Sequence, residues 1–208
     1  MNKKHLILAL DALLKPIGFT RRKSAWNRRI EDVIEVIEAQ VSKSGDMVTL
    51  NAGVLDPTVH KAIWCEEPPD FVEEPLATVR ARVGDLLDQK DRWWELGSDE
   101  ATDDVADAVA QVLLPFLERM RSRGEMAFWL DRAEVVKRRQ PAEILGLAVL
   151  KCLVGRHAEG CQLLAVQGKR AIGAWRSRYD SVAQRLGCVL GSAAVPPVAL
   201  ADRSRCRP

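Results

Sequence analysis

The chain has 208 residues, and 47% of them are hydrophobic, which is material for one ordinary core or for one core with an appendage. Its 31 basic and 29 acidic residues leave a formal net charge of only +2, so bulk charge gives no support to non-specific nucleic-acid binding. No apolar run approaches the roughly 20 residues that a membrane-crossing helix needs.

Residues 3–15 predict an amphipathic helix. Leu6, Leu10 and Leu13, flanked by Ala9 and Leu14, form one stripe, Asn2 is placed as N-cap, and Pro16 and Gly18 stop it. The lysines at 3 and 4 followed by LILAL invite a signal-peptide reading. Asp11 interrupts that run and no small-residue cleavage site follows, so the helix is the better account.

A strand-rich stretch comes next. Phe19–Lys23 and Ala25–Ile30 predict a hairpin turning near Ser24, with five basic residues and no acid in 20–29. Residues 33–43 and 47–55 predict two more strands, separated by a turn at 44–46 and ended by Asp56-Pro57. Residues 56–76 read as a long connection with four prolines, pinned by Trp64 and Phe71 tucking onto the core. TVRARV, Thr78–Val83, alternates with period two and predicts a further strand ended by Gly84. Adjacent strands with short turns give an antiparallel meander.

A long helix is predicted from about Ser98 or Asp99, with Val105, Val109, Val112, Phe116 and Met120 on its apolar stripe. Pro115 should kink or restart it, and Gly124 should cap it. Beyond it, helices are predicted at 126–138, 141–154, 157–167 and 172–186, with a helical hairpin near Gly155–His157. From Gly191 onward the composition predicts a disordered tail. The expected division is therefore 1–124 as an α+β domain, 125–190 as a helical extension and 191–208 as tail.

Chemical motifs are scarce. The cysteines at 65, 152, 161, 188 and 206 form no CxxC pair, so neither a zinc site nor a disulfide framework follows, and a reducing cytoplasm is the expected context. His5, His60 and His157 have no ligand partner at the usual spacing. No nucleophile elbow, Walker loop or dinucleotide fingerprint is present. No metal, cofactor or catalytic residue is assigned. The acids of 66–74 read as a solvated loop.

The strand faces carry the one constellation. Val79, Ala81 and Val83 share an apolar face with Val48, Leu50, Ala52, Val54 and with Val33, Ile37, Ala39, Val41. The opposite face collects Glu38, Gln40, Ser42, Thr49, Asn51, Gly53, Thr78, Arg80 and Arg82. Strands lie about 4.8 Å apart and alternate residues about 6.7 Å apart, so neighbours on this face can share one ligand. Arg80 and Arg82 would grip a carboxylate or phosphate, Gln40 and Asn51 would orient it, and Trp26 and Arg28 would form a wall. A plain solvated sheet face, with Arg82 paired to Glu38, is the simpler account. Of Trp93 and Trp94, one is expected to anchor and the other to lie partly exposed.

The order LLKPIGFTRRKSAWNRR, DVIEVIEAQVSKSGDMVTLNAGV, VRARVGDLL and DRWWEL resembles the bacterial domain-of-unknown-function family 4304 over about residues 3–122. The matching positions are Leu14, Gly18, Phe19, Gln40, Ser42, Asn51, Gly53, Arg80, Arg82, Gly84, Trp93 and Trp94. The resemblance implies no particular activity.

The expected fold is α+β: an antiparallel sheet of four to five strands on an N-terminal helix and a long second helix, then a small helical extension. The expected function is non-enzymatic binding of an acidic protein or small anion through the polar sheet face. Two alternatives are an enzyme acting on a phosphorylated or nucleotide substrate, with arginine clamps and Glu38 as base, and nucleic-acid binding through 20–29. Neither a membrane nor nucleic acid is the favoured partner.

Overall fold

The computed structural model describes residues 3–87, 91–96, 100–132 and 140–188. The expected tail, the Asn2 cap and the helix start at Ser98 or Asp99 lie outside those residues. The chain forms two compact units, one from 1–56 and 69–121, the other from 57–68 and 122–208.

The first unit is an α+β sandwich. Helix α1 (Lys3–Leu14) ends in a 3-10 turn at Lys15–Ile17. Gly18 then takes φ 93°, a left-handed conformation suited to glycine, and its N–H closes on the Lys15 carbonyl. Strands β1 (Thr20–Arg22), β2 (Ala25–Ile30), β3 (Val33–Val41), β4 (Met47–Leu55) and β5 (Val79–Arg82) follow in meander order, all antiparallel. β5 is shorter than the predicted Thr78–Val83, because Val83 opens a one-turn helix, α3 (Val83–Leu86), and a two-residue strand β6 (Trp94–Glu95) then pairs with the start of β4, end to end with β5 on the same edge.

Cross-strand pairs fix the faces. Trp26, Ile37 and Ala52 stand with Ala81 on one face, and Glu38, Asn51 and Arg82 on the other. The first face is the core. It is backed by α1, through Leu6, Leu10 and Leu14, and by the helical rod of α4 (Glu100–Ala108) and α5 (Leu114–Arg119).

Between α4 and α5 lies a π-helical turn, Val109–Leu113, so the predicted break at Pro115 takes a specific form. Proline has no N–H, and its ring crowds the carbonyl one turn back; widening that turn relieves the crowding while the rod continues. Gly124 is not the cap that was expected. The rod stops at Met120, Ser122 adopts extended dihedrals, and Gly124 falls inside α6 (Arg123–Asp131). The predicted helix at 126–138 therefore starts earlier, and its second half lies outside the described residues.

The 56–76 connection also needs correcting. Pro57–Trp64 is a helix, α2, because Pro57 suits the first turn and Val59, Ala62 and Ile63 supply its buried face. It belongs to the second unit. Trp64 meets Trp175 edge-on there, under the Arg178 guanidinium. Phe71 lies beneath Arg22.

Within the second unit, α7 (Pro141–Leu153), α8 (His157–Gly168) and α9 (Ala174–Arg185) pack together, with α7 and α8 forming the expected hairpin. A capping box between Gln140 and Glu143 starts α7. Cys161 and Cys188 are joined, a disulfide that the cysteine spacing gave no reason to expect.

Candidate functional site

One end of the second sheet face is not wet. Ile34, Val36 and Leu55 point into it and are closed over by Val72. Asn27, on the same face, donates to the Val72 carbonyl at 2.9 Å and accepts from its N–H at 2.6 Å. The side-chain amide thus stands in for a strand partner and holds the proline-rich segment down. Gly53 makes room for that segment: a Cβ there would sit 2.6 Å from the Ala77 Cβ. β3 is therefore buried on both faces over 33–37, with Glu35 the charged exception among apolar side chains, which hides its alternation from a period-two reading.

The other end carries the polar cluster. Arg82, half-buried on β5, fans its donors over three acceptors. Nη1 reaches Asp91 at 2.8 Å, Nη2 reaches Gln40 Oε1 at 3.3 Å, and Nε reaches Asn51 Oδ1 at 3.4 Å. Asn51 in turn donates to Gln40 at 3.0 Å. The guanidinium carbon stands 5.7 Å from the Trp93 ring centroid. The hydrogen bond from Arg82, supported by one from Trp93, holds the Asp91 carboxyl below its ordinary value. The Thr49 hydroxyl, on the neighbouring cross-strand pair, is fully buried and has no hydrogen-bond partner among the described residues.

The remaining predicted site residues divide. Glu38 lies directly across from Asn51, and burial together with Glu73 raises its carboxyl above the ordinary range. It is not the partner of Arg82. Arg80 turns away toward Glu74, 3.6 Å distant, so the two arginines do not form one clamp. Ser42 is spent on the β3–β4 turn, where it bonds Asp46 and receives the Met47 N–H.

Trp26 and Arg28 are on the wrong face for a wall. Trp26 is fully buried in the core and donates to Asp11. Arg28 pairs with the buried Glu35 at 2.6 Å and covers the Phe19 ring. A residue missed in the sequence, Asp91, completes the cluster. Its only signal was its place two residues before Trp93, the tryptophan left half-exposed while Trp94 is buried.

The basic hairpin is also committed internally. Arg21 bonds Asp11, Arg22 covers Phe71, and Arg29 reaches the Pro69 carbonyl. β1 is a short, charged edge strand, a form that discourages sheet-to-sheet aggregation.

The family profile described as Domain of unknown function (DUF4304) matches residues 10–119. The chain belongs to the DUF4304 family. The DUF4304 match spans β1 to β6 and so includes every residue of the Arg82 cluster, while α6 to α9 lie beyond it. No curated protein and no solved structure matches the DUF4304 chain described here. None of its described helices is long and apolar enough to cross a membrane.

Proposed function

We propose that this protein is a non-enzymatic binding module that recognises a carboxylate of an acidic partner protein through Arg82. The observation that carries the reading is Asp91. A carboxylate already sits against the Arg82 guanidinium and is hydrogen-bonded by Trp93, with Gln40 and Asn51 steadying the arginine from behind. Asp91 is exposed, and ion pairs of such exposure add little to stability. A carboxylate from a partner can therefore replace it at little cost and inherit the same donors.

The test is titration of the full chain with acidic peptides, followed by NMR of the arginine and indole side-chain N–H groups. Arg82 and Trp93 signals should shift on titration, Asp91→Asn should bind more tightly because the internal competitor is gone, and Arg82→Ala should not bind. Absence of shifts in both the unmodified chain and Asp91→Asn would overturn the reading.

A second reading has one observation in its favour. The raised proton affinity of Glu38 suits a general base in an enzyme acting on a phosphorylated substrate. Turnover of a phosphate ester or nucleotide that Glu38→Gln abolishes would replace the binding module with that enzyme.

A further inference from the structure

Four chemically similar donors meet in the second unit. Cys152 is the last residue but one of α7, His157 opens α8, Cys161 lies one turn further along α8, and Cys188 follows α9. Their donor atoms all lie within 4.8 Å of one another. We propose that these residues, in their reduced form, bind a zinc ion with Cys3His coordination.

One donor pair already stands at the spacing of zinc ligands, while the Cys161 and Cys188 sulfurs, bonded here at 2.03 Å, must part on reduction. With Zn–S about 2.3 Å and Zn–N about 2.0 Å, tetrahedral ligand atoms stand roughly 3.5–3.8 Å apart. Cys161 Sγ is 3.6 Å from His157 Nδ1. His157 Nε2 is 2.8 Å from the Leu186 carbonyl, which can only accept, so Nε2 carries the proton and Nδ1 keeps its lone pair. A backbone acceptor on the second imidazole nitrogen is the usual support for a metal-bound histidine.

The backbone is shaped for the cluster. Gly155 and Gly187, both left-handed, close α7 and α9. In each case the next residue's N–H returns five positions: Arg156 to Lys151, and Cys188 to Ala183. These Schellman turns fold Cys188 back onto its helix and aim α8 at Cys152. Gly160 lets the Cys152 sulfur press against α8, since a Cβ there would stand 2.6 Å from it. The α8 N-terminus adds positive potential where thiolates would gather.

The Cys161–Cys188 bond uses two of the four donors and gives no account of Cys152 and His157 converging on the same point. Loading from the bonded state needs a two-electron reductant such as a phosphine, which is oxidised to the phosphine oxide with the oxygen of one water while S–S is cleaved to two thiols that take up that water's two protons. Zinc then displaces three thiol protons, giving Zn(Cys)3His with a net charge of −1 and three protons released. The spacing Cys-x4-His-x3-Cys, with the last cysteine 27 residues further on, contains no CxxC pair, which is why the linear sequence concealed it.

The decisive experiment treats the full chain with a phosphine and a chelator, exchanges out the chelator, and titrates Co2+ without oxygen. The expected result is saturation at equimolar metal, with visible d–d bands of tetrahedral Co2+ and near-ultraviolet thiolate charge transfer, both abolished by equimolar Zn2+. Cys65→Ser should keep these bands, and Cys152→Ser, with its helical circular dichroism intact, should lose or weaken them. If Cys152→Ser misfolds, zinc content of the unmodified chain isolated under reducing conditions decides, with one zinc per chain expected. A reduced, unmodified chain that gives no tetrahedral Co2+ spectrum, or a folded Cys152→Ser with an unchanged one, would overturn the proposal.

Discussion

The indole N–H of Trp26 donates to Asp11 Oδ1 at 2.8 Å, and both side chains are shut away from solvent. This bond ties α1 to the β1–β2 hairpin, and Arg21 and Lys15 bind the same carboxylate from the rim.

Burial works against ionisation of Asp11, but the hydrogen bonds from Lys15 and Trp26 and the charge of Arg21 outweigh it and hold the carboxyl below its ordinary 3.8. The folded chain then binds fewer protons than the unfolded chain in that window, so stability rises with pH there. The contribution is complete above 3.8 and is lost as pH falls through the folded value. Urea midpoints taken from about pH 5 down to about pH 2 should fall more steeply for the unmodified chain than for Asp11→Asn. At pH 7, Asp11→Ala should lose about 2 kcal/mol, because the indole N–H is left unpaired.

Glu35 is fully buried on the core face and is bracketed by Arg28 at 2.6 Å and Arg121 at 2.8 Å. Arg28→Ala strips one cation from a charge that has no access to water. Urea unfolding should show a loss of about 3 kcal/mol, the scale for breaking a buried pair from one side.

Asn27→Ala should release the segment around Val72 by removing both bonds to its backbone. A loss of about 2–4 kcal/mol follows from two buried peptide groups left unsatisfied. Limited proteolysis should find new cleavage between residues 69 and 77, which a global loss of stability alone would not direct there.

Gly53→Ala tests the same contact from beneath. The added methyl overlaps the Ala77 side chain and stands 3.0 Å from the Val79 carbonyl. Overpacking of this kind costs about 1–3 kcal/mol, measurable as a lowered urea midpoint. Amide exchange should speed up in β5, whose Arg80 pairs directly with Gly53.

Much of the sheet was legible because β4 and β5 alternate strictly; Val79 and Ala81 face in, and Arg80 and Arg82 face out. The Gln40–Asn51–Arg82 grouping followed from that alternation and from register. What was not legible depended on the third dimension. Ile34 and Val36 broke the pattern because a loop about forty residues on covers them. Arg80 and Arg82 shared a face but not a target, since Glu74 and Asp91 lie in segments with no periodicity to place them. Trp26 was assigned to the wrong side because the partner that draws it inward, Asp11, sits in a helix where it had been read only as an interruption. His157 and three cysteines were invisible as a group because turns, not sequence spacing, bring them together.

The sheet offers a neighbour very little backbone to build on. One border is the three-residue β1, and the other is divided between the short strands β5 and β6. Recognition by adding a foreign strand requires a longer uninterrupted rim of free amides and carbonyls than either side presents. On the binding reading proposed above, selectivity rests on the functional groups that stand up from the pleat, and exchanging a handful of them redirects the choice of partner while the scaffold stays as it is.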